Sequence, residues 1–88
     1  MHRAAVSVPA NIAEGVGEYA PKEKIRFYRI ARRSAVECAS HLLVSKKLEL
    51  VKEESVSEGL GVLHRIVAML TGMIRSVEGR GKGGSRAR

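Results

Sequence analysis

The sequence predicts an all-α fold: a helical bundle of three helices that oligomerises. Three observations carry this expectation. Val56, Leu60, Leu63, Val67, Leu70, Ile74 and Val77 recur at alternating steps of four and three, the seam of a bundle or coiled-coil helix. Ile25, Tyr28, Ala31, Ala35, Cys38, Ala39, Leu42 and Leu43 share one broad side of a helical wheel. Apolar residues make up 44% of the chain and aromatics only 3%, so alanine and aliphatic side chains must build the core, a composition that favours helices. With 88 residues there is room for one domain, placed at 1–78, with 79–88 as a tail.

The first helix is expected from Met1 to about Gly17, with Ala5, Val8, Ile12 and Val16 at helical spacing. Pro9 lies inside it and should kink it, because proline lacks the N–H that the preceding turn would receive. Gly15 and Gly17 are expected to stop it, since glycine adopts the left-handed conformation of a C-cap. Pro21 suits the first turn of a second helix, which runs to the Lys46–Glu49 region. A third helix is expected from about Glu53 to Val77, its two leading acids facing the positive end of the helix dipole. A second seam, Val62, Ile66, Met69 and Met73, makes its apolar surface wider than one partner helix covers. Gly59, Gly61 and Gly72 each cost up to about 1 kcal/mol in a helix interior, so packing or a close helix approach must offset them. Residues 79–88 hold one apolar side chain, Ala87, and are expected to be a disordered basic tail.

Charge narrows the partner classes. A net charge of +7 points to a polyanion or an acidic surface. The excess is local: residues 21–33 carry six cations against one acid, and the tail adds Arg80, Lys82, Arg86 and Arg88. On the second helix Lys22, Arg26, Arg29 and Arg33 form a ladder opposite the apolar side, and Lys47 returns to the same stripe. Cys38 stands alone, so it forms no intrachain disulfide and fits a reducing, cytoplasmic setting. No uninterrupted apolar run approaches the roughly 20 residues of a membrane-spanning helix, and the start of the chain has no signal-peptide core. The expected localisation is cytoplasmic, without a membrane partner.

The stretch Arg3-Ala4-Ala5-Val6-Ser7-Val8-Pro9-Ala10-Asn11-Ile12-Ala13-Glu14-Gly15 resembles the signature of bacterial four-helix bundle proteins related to the 23S rRNA intervening-sequence proteins. The likeness continues through Lys22-Glu23, Arg26-Phe27, Arg29-Ile30-Ala31, Ser34, Glu37 and Leu42-Leu43. It implies an antiparallel four-helix bundle, often a ring-shaped homopentamer, and association with nucleic acid without catalysis. The sequence departs from the pattern in three places. A long amphipathic helix normally precedes the Arg-Ala-Ala-Val-Ser segment, where this chain has Met1-His2. A Gly-Ser pair in the next helix is Arg33-Ser34 here, and a Leu-Gly-Tyr exit is Leu48-Glu49-Leu50. The first departure matches the uncovered seam, which a second chain or a further helix would fill.

The residues themselves support a binding role. Lys22, Arg26, Arg29, Arg33 and Lys47, with Arg80 and Lys82, are the candidate contacts to RNA or DNA phosphates, whose neutralisation releases counterions. The alternative is a structural or protein-binding scaffold that docks an acidic partner protein through the same face. No exposed aromatics interleave with the ladder to stack bases. Pro9, Asn11, Glu14 and Gly15 are assigned structural roles at the kink, with Asn11 and Glu14 bracing it or receiving an arginine. A single carboxylate without a second acid, nucleophile or orienting base lacks the parts for acid–base catalysis, so no enzyme activity is expected. His2, His41 and His64 are widely separated, without metal-ligand spacing, and no metal or other cofactor is expected.

Overall fold

The computed structural model describes the backbone from His2 to Arg86 and the side chains of residues 5–80. It contains three helices, α1 (His2–Gly17), α2 (Pro21–Lys47) and α3 (Glu53–Arg86), and no strand among the described residues. The chain is all-α, as its two periodicities require.

Local chemistry sets each boundary. α1 runs through Pro9 without interruption. The Asn11 amide Nδ2 donates to the Ser7 carbonyl at 2.8 Å and to Ser7 Oγ at 2.9 Å, stitching the turn that contains the proline. Glu14 is exposed and has no ion-pair partner among the described residues, so of the two bracing residues expected only Asn11 is engaged. α1 ends at Gly17, as expected, but neither Gly15 nor Gly17 takes the left-handed conformation expected of a glycine cap. Instead Lys24 Nζ donates to the Gly15 and Val16 carbonyls, both at 3.1 Å, satisfying acceptors left open at the end of α1.

α2 begins with Pro21 in the first turn after an extended Ala20, where the missing N–H costs nothing. It ends in a Schellman motif: the Leu50 N–H donates to Ser45 O at 2.9 Å and the Glu49 N–H to Lys46 O at 3.0 Å. Glu49 has φ 60°, the left-handed region that favours glycine. Lys46 Nζ then reaches Glu53 Oε2 at 3.4 Å across the connection.

α3 starts on Glu53 and Glu54 as expected but continues to Arg86, beyond the expected end at Val77. The helical backbone thus enters the glycine-rich basic segment. Arg80 Nη1 donates to Ser76 Oγ at 3.0 Å, one turn back. Ala87 and Arg88, the end of the expected disordered tail, lie outside the described residues.

α2 is central and packs against both α1 and α3, whereas among the described residues α1 and α3 make no close backbone approach. Ser7 meets Ser34 and Gly15 meets Tyr28, while Leu42 meets Gly59 and Arg32 meets Thr71, so each helix doubles back along the one before. The core consists of Tyr28, Ala31, Leu70, Ile74 and Val77, with Ile12, Ile25, Ile66 and Met73 packed on it. Cys38 is buried, as its wheel position requires. Leu43, on the apolar side of the same wheel, is half-exposed.

Candidate nucleic-acid interface

α2 turns Tyr28, Ala31, Ser34, Ala35 and Cys38 inward. The 100° advance per residue therefore turns Lys22, Arg26, Arg29, Arg33 and Lys47 outward, and all five are exposed. Steps of four and three residues space the first four about 4.5–6 Å apart along the axis. Together with Ile25 and Ile30 they border a shallow concavity of about 590 Å³ on the outer face of α2.

The cations are not equivalent. Arg26 Nε holds Glu23 Oε1 at 3.0 Å and its guanidinium lies 4.4 Å from the Phe27 ring centroid. Arg29 Nη2 pairs with Glu78 Oε2 at 3.5 Å, linking α2 to α3. Both pairs are about half-exposed, so each is worth about 0–1 kcal/mol and yields readily to a stronger anion. Lys22, Arg33 and Lys47 have no acid partner among the described residues. Arg80 is exposed on α3, bonded to Ser76, and is not on the α2 ladder. The side chain of Lys82 lies outside the described residues.

Two residues escaped the sequence analysis. Arg32, between two ladder members, is half-buried and donates from Nη1 to Thr71 Oγ1 at 3.1 Å. Tyr19 is 99% exposed in the connection before Lys22, ahead of the ladder and not interleaved with it. The wheel could not place it, because it belongs to no helix.

A second feature lies between α2 and α3: an apolar groove of about 470 Å³ lined by Val36, Ala39, Leu60, Leu63 and Val67, with His64 at its edge. Among the described residues no three His, Cys, Asp or Glu side chains converge to hold a metal ion.

The Ser7–Ser34 contact ties the signature segment to α2. Their hydroxyl oxygens are 2.9 Å apart, Ser34 is buried, and Asn11 bonds to Ser7 in turn. The 23S rRNA-intervening sequence protein family model matches residues 1–72, most of the chain and all of this segment. The chain belongs to that family. The matched span holds both the hydrogen-bonded Ser7, Asn11 and Ser34 and the exposed cations of α2 from Lys22 to Arg33. No curated protein and no solved structure matches this member of the family.

Proposed function

We propose that this family member is a noncatalytic, oligomeric helical-bundle protein that associates with RNA through the basic outer face of α2. The observation that carries the reading is the exposed run Lys22, Arg26, Arg29 and Arg33 on the side of α2 opposite its buried residues. Evenly spaced cations on a stiff helix attract a phosphate backbone regardless of base sequence. The family is named for intervening sequences of 23S rRNA, which makes RNA the first polyanion to test. The same surface would accept DNA by its phosphates.

Uncovered surface supports the oligomeric part of this reading. A compact 9.6-kDa monomer exposes about 5,100 Å², whereas this chain exposes 6266 Å². The difference exceeds the roughly 800 Å² that each partner contributes to a standard interface. Val62 and Met69, on the second seam of α3, are 46% and 48% exposed. An 18-residue window within Glu53–Arg80 is long and apolar enough to cross a membrane by length and composition, yet only 17% of it is buried. Association of antiparallel bundles over this flank would remove it from water and repeat the basic face around the assembly.

The test is a salt titration of RNA binding by the full chain. Affinity should fall steeply with salt, and an Arg26, Arg29 and Arg33 triple-alanine variant should lose most of it and flatten the slope by about 2. Negligible binding by both proteins at low salt would overturn the reading and favour an acidic protein partner at the same face.

A further inference from the structure

The two tyrosines of the chain have opposite environments. Tyr28 is 4% exposed in the core, while Tyr19 is 99% exposed between α1 and α2. Phe27, the remaining aromatic, is partly covered and sits beneath Arg26. A phenol ring left wholly in water gains nothing from folding, so Tyr19 has no part in holding the three helices together.

Its backbone surroundings are nevertheless fixed. The Glu18 N–H donates to Gly15 O at 3.2 Å on one side, and the Lys24 N–H donates to Ala20 O at 3.0 Å on the other. Lys24 Nζ, in the first turn of α2, donates to the Gly15 and Val16 carbonyls in the last turn of α1. The ring therefore projects from a short, braced connection. Lys22 follows three positions later, so the two Cα atoms are at most about 11 Å apart. Arg26 follows one helical turn later. An uncovered aromatic face beside a row of cations is the combination that holds an unpaired base, with phosphates on the cations and the base on the ring. A duplex keeps its base faces stacked and offers the ring little.

We propose that Tyr19 is a base-stacking platform that makes the basic face of α2 prefer single-stranded nucleic acid over duplex. This deepens the phosphate-binding reading of that face and rests on it. Lys22 and Arg26 hold the phosphates beside the stacked nucleotide, and Arg33 continues the track along α2.

Tyrosine emission provides the readout, because the chain has two tyrosines and no tryptophan, and the buried Tyr28 is shielded from the ligand. The full chain is titrated with a single-stranded RNA of mixed sequence and with the same strand paired to its complement. The single strand should perturb the emission. Tyr19→Ala should weaken single-strand binding about tenfold, leave duplex binding and the mass of the assembly unchanged, and be rescued by Tyr19→Phe. Equal binding by Tyr19→Ala and wild type, or an equal loss on both ligands, overturns the proposal. A change in assembly mass would assign the ring to a contact between copies and overturn it too. Wild-type protein that binds neither RNA removes the underlying phosphate reading, whereas salt-dependent binding with unchanged emission removes only the stacking role.

Discussion

Glu49 is the residue where backbone chemistry is least comfortable. A left-handed conformation costs a non-glycine residue about 1–2 kcal/mol, yet the Schellman bonds from Glu49 and Leu50 to Lys46 and Ser45 need it there. Glu49→Gly should therefore stabilise the protein by about 1 kcal/mol and raise the melting temperature by about 4–8 °C, measured by thermal circular dichroism. An unchanged or lower melting temperature would show that Glu49 is not strained. The chain sequence shows the glutamate, but only the dihedral angle shows its cost. The candidate phosphate contacts were legible residue by residue from the wheel. The Arg29–Glu78 pair was not, because it joins residues far apart in the chain, unlike the local Arg26–Glu23 pair.

At the scale of elements, helix existence follows from periodicity and helix pairing from small residues at close approaches. A Cβ added at Gly15 would lie 2.5 Å from Tyr28 Cε1, and one at Gly59 would lie 2.7 Å from Leu42 Cδ1. Gly15 thus serves the α1–α2 contact and not a left-handed cap. The aromatic ring of Tyr28 is held by the core and has little room to move, whereas the Leu42 methyl can shift. Gly15→Ala should accordingly destabilise the fold by about 1–3 kcal/mol through overpacking, read from urea denaturation midpoints. A variant as stable as wild type would mean that the two helices separate at no cost. The extension of α3 past Val77 was hidden from a reading of apolar seams, since the last turns carry no seam residue.

The whole molecule is a plate of helices measuring 55 × 20 × 13 Å. Its radius of gyration of 15.6 Å exceeds the roughly 12 Å of a compact chain of this length. α2 alone joins the other two helices, so both flanks of α3 beyond the α2 contact are thinly covered. Light scattering coupled to size exclusion should give a mass that is a multiple of 9.6 kDa. A 9.6-kDa species at every concentration would overturn self-association, and with it the repetition of the basic face.

Sequence alone determined the three helices, their buried stripes and the outward direction of Lys22, Arg26, Arg29 and Arg33, because helical geometry converts spacing along the chain into direction in space. Tertiary structure decided which cations meet acids, that Lys24 ends α1, that Gly15 makes room for Tyr28 and that Tyr19 stands in water. These depend on distances between segments separated in sequence or on a connection without periodicity, and no repeat pattern encodes either.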